Sequence, residues 1–252
     1  MTAVQESDER CIPGQSDNYW QANHLARYTF AKSLVENKIV LDVGCGEGYG
    51  ANLLAQVAQT VVAIDIDEHT IQRAQLKYAA PNLRFATMDS CRLDFSDGSF
   101  DVVCSFEVLE HVSNCQQYLS EIRRVLRKGG AFLVSTPNKE RYPMAGMNPF
   151  HEREFTLDEF RRLLGEVFED VVIYGQRCKL EARALYHTPL ANLIYRARRR
   201  LGIGIRCPKG LRQLIERTLT GHSIQEATIG DFDIVPDRLE EAEEFIAICH
   251  RC

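Results

Sequence analysis

The 252-residue chain has no run approaching the roughly 18 apolar residues that a membrane-spanning helix needs. Its first residues, MTAVQESDER, are polar and acidic and do not read as a signal peptide. A single tryptophan, 9% aromatic residues and a net charge of −5 supply neither a stacking surface nor a basic balance. DNA is therefore excluded as a partner, and RNA is argued against. Paired metal-binding motifs are missing as well. The nine cysteines are scattered, and the one C-x-x-C, Cys249–Cys252, has no second pair. The expectation is a reduced, cytoplasmic protein. What is present, 45% hydrophobic and 26% charged residues, suits one globular domain with a sizeable core.

The most informative segment is Leu41–Gly50, LDVGCGEGYG, which follows the apolar Ile39-Val40 and precedes a helix-compatible stretch, Ala51–Ala58. Strand, glycine loop and helix open a doubly wound α/β sheet. The dinucleotide fingerprint is absent. After Gly44 and Gly46 its third glycine would fall at 49, which is Tyr49. Asp42, two residues before the loop, would repel a pyrophosphate. An acid beside a glycine loop suits a cationic, phosphate-free nucleoside, and S-adenosylmethionine (SAM) carries a sulfonium and an ammonium. Val61–Ile64 reads as a buried parallel strand ending at Asp65, 21 residues after Gly44, where a carboxylate accepts from ribose hydroxyls. Asp67 reads as the N-cap of the helix Glu68–Tyr78.

These segments together resemble class I SAM-dependent methyltransferases. VLDVGCGEGYG and VVAIDID resemble the first two motifs, SFDVVCSFEVLEHV the fourth-strand motif, and RVLRKGGAFLVSTPN the helix-turn-strand after it. The resemblance implies a Rossmann-like α/β fold. Its seven-stranded, mostly parallel sheet has helices on both faces and one antiparallel strand near the C-terminus, here Glu244–Ile248. It also implies a SAM-binding core over 38–176 plus 243–252 and an N-terminal lid helix within 16–37; residues 177–242, where the family usually has a short connection, read as a helical insertion outside the resemblance. Within it Asp89 accepts from the adenine amino group, and Ser90 and Cys91 contact the ring. The implied cofactor set is Asp42, Gly44, Gly46, Gly48, Tyr49, Asp65, Ile66, Asp89, Ser90, Cys91 and Phe106. Tyr19, Trp20, His24 and Tyr28 of the segment Asn18–Val35 are further lining candidates. Elsewhere, strands are expected over Asn82–Met88, Phe100–Phe106, Ala131–Ser135 and Asp170–Tyr174, and helices over Gln116–Arg127 and Leu157–Val167 with Thr156 as N-cap.

The catalytic candidates lie in FEVLEHV, Phe106–Val112. Glu107 closes the fourth strand, and Glu110 and His111 follow at i+3 and i+4, sharing a face if the chain turns helical there. Methyl transfer to a hydroxyl needs alignment and removal of a proton. One mechanism makes His111 or Glu107 the general base. The other has Glu107, Glu110, His111 and His151 hold Mg²⁺, a set similar to that of small-RNA 2′-O-methyltransferases and ubiquinone-pathway O-methyltransferases.

Arg177–Thr220 carries 11 Lys/Arg and two acids, a net +9 against −14 for the rest of the chain. The sequence predicts two basic amphipathic helices, one starting at Thr188-Pro189 and one after Pro208. Such a pair suits an anionic membrane surface, met through 190–217, or a phosphate-bearing acceptor. The segments STPNK, NPFHEREF and AEEFIAICH extend the resemblance to methyltransferases of bacterial surface-polysaccharide and glycan biosynthesis. The expectation is an enzyme methylating a hydroxyl on a small-molecule, sugar or lipid-linked glycan acceptor. A catalytically silent SAM-fold binding protein is the reading from another class.

Overall fold

A computed structural model describes residues 18–141, 150–180, 217–218, 223 and 227–252. Five α-helices and eight strands are found among them. Helix α1 (Asn18–Val35) leads into β1 (Ile39–Val43), α2 (Tyr49–Ala55), β2 (Thr60–Asp65), α3 (Glu68–Lys77) and β3 (Leu83–Thr87). Then come β4 (Phe100–Phe106), α4 (Cys115–Val125), β5 (Leu126–Pro137), α5 (Leu157–Gly165), β6 (Asp170–Cys178), β7 (Phe232–Val235) and β8 (Glu244–His250).

The sheet order is β3-β2-β1-β4-β5-β8-β6-β7. Strands β1 to β5 pair in parallel, with Leu41 opposite both Val62 and Val103. The order reverses between β1 and β4, and the crevice beyond their carboxyl ends is the topological switch point where open α/β sheets bind ligands. Strand β8 runs antiparallel between β5 and β6, which puts its first residue, Glu244, beside Pro137 at that same edge.

The sheet has eight strands, not seven, and two of them are antiparallel. The additional strand, β7, comes from within the expected helical insertion. The Thr228–Asp231 capping box turns the chain so that FDIV pairs with Gly175–Cys178. Most of the insertion, including Thr188-Pro189 and Arg196–Arg200, lies outside the described residues. Helix α4 ends at Val125 rather than Arg127, because Arg251 Nη1 donates to the carbonyls of Arg123 and Arg124 at 2.8 and 2.9 Å and to that of Leu126, satisfying the helix end. Asp67 and Thr156 cap α3 and α5 as their positions predict; Thr156 forms a full capping box with Glu159.

Both sheet faces are covered. One apolar layer joins Leu41, Val103, Phe132 and Phe245 to α4 and α5 through Leu119, Ile122 and Phe160. The other joins Val40, Val61 and Cys104 to α1, α2 and α3 through Val35, Leu54 and Ile71. The alternation along β1 and β4 sorts their side chains between these layers, which fixes the register of the loops that follow.

Candidate functional site

The glycine loop is built by its backbone. Gly44, Gly46 and Gly48 all have left-handed φ, of 70°, 51° and 78°. A Cβ on Gly44 would overlap Val108, whereas Gly46 faces open space within 4 Å of its would-be Cβ. The loop is pinned to β2, since Gly44 N and Cys45 N both donate to the Ile64 carbonyl, at 2.8 and 2.9 Å. Asp65, partly exposed, accepts from Gly46 N and from Asp67 N, each at 3.0 Å. On its far side Arg73 clamps Glu47 at 2.7 Å. A cradle of left-handed glycines with open space above Gly46 and a carboxylate at its rim fits a nucleoside bearing ribose hydroxyls.

The other cofactor candidates take varied positions. Ile66 is 72% exposed at the β2 end. Asp89 is exposed beyond β3 and accepts from Cys91 N at 2.8 Å, so its carboxylate orders the turn that carries Ser90 and Cys91. Phe106 is buried against Tyr28, ring centroids 5.0 Å apart. Asp42 departs from expectation. It is wholly buried, and Tyr28 Oη lies 3.2 and 3.3 Å from its two oxygens. Burial pushes its carboxyl up to about 7; the Tyr28 hydrogen bond opposes that and Asp65 adds to it.

Helix α1 lies along this edge. His24 Nδ1 and Tyr49 Oη are 3.0 Å apart. Burial, with Arg27 assisting, lowers the His24 pKa well below the usual imidazole value. Trp20 is half-exposed, and Tyr19 donates to Glu243 at 2.6 Å instead of facing the glycine loop.

The proposed catalytic residues do not form one helical face. Glu107 has a left-handed φ of 57°, and only a single 3₁₀ turn, Leu109–His111, follows. This rotation separates Glu107 from the histidines. Glu107 N donates to Ser135 Oγ at 3.1 Å, Ser135 Oγ donates back to its carboxylate at 2.7 Å, and Arg27 lies 3.9 Å away. The expected four-residue metal set therefore loses Glu107. Donor atoms of Glu110, His111 and His151 do lie within 4.8 Å of one another. Glu110 is buried and accepts from Thr136 Oγ1 at 3.1 Å, while its carbonyl takes the amides of Glu152 and Arg153. Burial, and then Glu107, raise its pKa well above the carboxylate range. His111 is exposed, and its Nδ1 is 2.9 Å from the Phe150 carbonyl, an arrangement that directs Nε2 away from that bond. The His111 and His151 rings meet edge to face at 5.0 Å.

Sequence reasoning missed the polar seam joining α1 to this edge. Arg27, 1% exposed, donates to Asn23 Oδ1 at 2.8 Å and lies 4.0 Å from Glu244. Burial opposes its charge, but Glu107 and Glu244 outweigh burial and raise its pKa. Gln176 of β6 donates to the Asn23 carbonyl at 2.9 Å. The only signal was spacing: Tyr19, Asn23 and Arg27 are four apart, a polar stripe on a helix whose neighbours Ala22 and Ala26 are buried.

Known proteins are similar to this chain in sequence and in fold. Residues 41–134 match the family model described as a methyltransferase domain. A “probable S-adenosylmethionine-dependent methyltransferase” of Mycolicibacterium smegmatis is 40% identical over 65% of this chain and 64% of its own length. A fatty-acid O-methyltransferase of the same organism is 32% identical over 64% of this chain and 61% of its own. The chain thus spans less than two thirds of the length of these relatives. A SAM-dependent methyltransferase from Thermotoga maritima superposes with a TM-score of 0.63, covering 93% of each chain at 15% identity, which establishes the shared fold.

Proposed function

We infer, from the methyltransferase domain matched over residues 41–134, that this chain transfers the methyl group of SAM to a hydroxyl acceptor. The cofactor half of the reading is carried by the left-handed glycine loop with Asp65 at its rim. The reaction half is carried by His111. With Nδ1 held by the Phe150 carbonyl, Nε2 is the atom available to take the acceptor proton. The hydroxyl oxygen attacks the methyl carbon, the sulfur–carbon bond breaks with its electron pair retained on sulfur, and the proton passes to the imidazole. Alignment of acceptor and sulfonium supplies most of the acceleration in such a displacement.

The acceptor class is a hydroxyl on a lipid-linked or glycan molecule. The relative named as a fatty-acid O-methyltransferase supports a lipid-borne acceptor. The polysaccharide-like segments of the sequence support the glycan part. Calorimetry with SAM tests the cofactor, and transfer of labelled methyl from SAM into an extract of the producing organism, followed by fractionation, tests the acceptor. No heat and no thermal shift at millimolar SAM would refute the reading.

A second mechanism is favoured by one observation, the closeness of Glu110, His111 and His151. One carboxylate and two imidazoles fit a divalent cation such as Mg²⁺ or Mn²⁺, which would lower the pKa of the acceptor hydroxyl. Turnover that survives chelation would leave His111 as the base.

A further inference from the structure

We propose that Arg73 and Glu47 are positioning residues for the cofactor's ribose. They close a ring of hydrogen bonds that fixes Asp65 against the glycine loop before any ligand arrives. The inference rests on the SAM reading above and gives roles to two residues which that reading does not use.

The ring starts and ends at neighbouring residues of the loop. Gly46 N donates to Asp65 Oδ2 and Asp67 N to Asp65 Oδ1, each at 3.0 Å. Asp67 Oδ2 accepts from Thr70 Oγ1 at 2.6 Å, and Thr70 Oγ1 accepts in turn from Arg73 Nη2 at 3.1 Å. Arg73 then reaches back to Glu47 Oε1, through Nε at 3.1 Å and Nη2 at 2.7 Å. Glu47 follows Gly46 directly, so the circuit closes through one peptide unit.

The loop needs such a tether. Glu47 stands between two glycines of left-handed φ, and nothing lies within 4 Å of a Cβ built on Gly46. Glycine backbone has the most freedom to lose on ordering, and these glycines have no side chain to hold them. Glu47 supplies the hold. Its side chain is 6% exposed, because the half-exposed Arg73 lies over it. A carboxylate so covered requires a paired cation, and the guanidinium offers two donors to it. Beside this pair a Cβ on Gly48 would overlap Ala74 of α3, so loop and helix are in contact there too. Each oxygen of Asp65 takes one backbone N–H from the ring and keeps a lone pair for a ribose hydroxyl. An acceptor aimed beforehand spares the ordering cost at binding.

The test is calorimetric titration of the full chain with S-adenosylhomocysteine and with its 2′,3′-dideoxyribose analogue, which lacks both ribose hydroxyls. Wild type should bind the parent compound more tightly. Arg73→Met keeps the aliphatic stem and removes the donors. It should lower the parent-to-analogue affinity ratio about fivefold, near the upper worth of an ion pair partly in water. Glu47→Ala, which breaks the ring from its other end, should lower the ratio as much, and the double variant no further. Glu47→Gln should restore part of it, because its amide oxygen can still accept from Arg73. A brace that merely stabilises the fold would weaken both ligands equally. A ratio that stays at the wild-type value in the folded variants therefore overturns the proposal. Wild type binding both ligands equally also overturns it, since Asp65 would then not meet the ribose. Failure of wild type to bind either SAM or S-adenosylhomocysteine refutes the SAM reading itself.

Discussion

Asp42 shows how one side chain links fold and function. Its pKa rises from 3.8 to about 7 on folding, chiefly through burial. The folded state therefore holds this proton more tightly than the unfolded chain. The associated stability is fully present below about pH 4 and is lost as pH rises through 7, up to about 4 kcal/mol for a shift of this size. Glu244, also buried and raised to about 7 despite Arg27, acts in the same direction. Asp42→Asn should flatten this dependence. Urea unfolding without SAM should find the variant more stable than wild type at pH 8 and little different at pH 4; equal stability at pH 8 would show that the burial cost is met elsewhere. As the proposed base, His111 should contribute to rate alone. His111→Ala should lower turnover ~10²-fold or more, the usual worth of a general base, with the SAM dissociation constant within about twofold of wild type. A SAM affinity that fell in step with turnover would remove His111 from the acceptor side.

At the scale of elements, α1 carries two adjacent stripes. Tyr19, Asn23 and Arg27 face Glu243, Gln176, Glu107 and Glu244. His24 and Tyr28 face Tyr49 and Asp42. One helix thereby spans the cofactor loop and the β4–β8 edge, and its seating depends on Gly50. Gly50→Ala should displace Tyr28, destabilise the protein by about 1–3 kcal/mol and weaken SAM binding, which thermal melts with and without SAM would register. Wild-type melting behaviour would mean the helix yields without cost. Much of this element structure is legible in the sequence. Strands β1, β2, β4 and β8, the caps Asp67 and Thr156, and the glycine loop all follow from local patterns of burial and hydrogen bonding. The rest depends on distant partners. Arg27 is buried only because Glu244, 217 residues on, arrives at the same edge. Glu107 turns left-handed because Ser135 of β5 bonds both its amide and its carboxylate, which a local i+3, i+4 reading cannot anticipate. Strand β7 is four residues long, too short for alternation to declare itself.

For the whole molecule, the unevenness of charge is the main feature. Arg177–Thr220 is net +9 and everything else net −14. Among the described residues no helix is long and apolar enough to cross a membrane. We propose that the cationic segment of this otherwise acidic chain directs its encounter with a lipid-linked acceptor toward anionic lipid. The sequence concentrates this charge at Arg196, Arg198, Arg199 and Arg200. Each cation near an anionic surface contributes roughly 1 kcal/mol, so replacing all four with glutamine should abolish cosedimentation with vesicles containing phosphatidylserine. SAM affinity should be unaffected, because the glycine loop and Asp65 lie in the acidic remainder. Wild-type binding should itself fade with added salt, since the Debye length shrinks from about 10 Å at 0.1 M to about 3 Å at 1 M. If the quadruple variant sediments like wild type, these arginines are not what holds the protein to lipid. If wild type never sediments but the variant's Michaelis constant for the identified acceptor rises, the same charges read a phosphate on the acceptor instead.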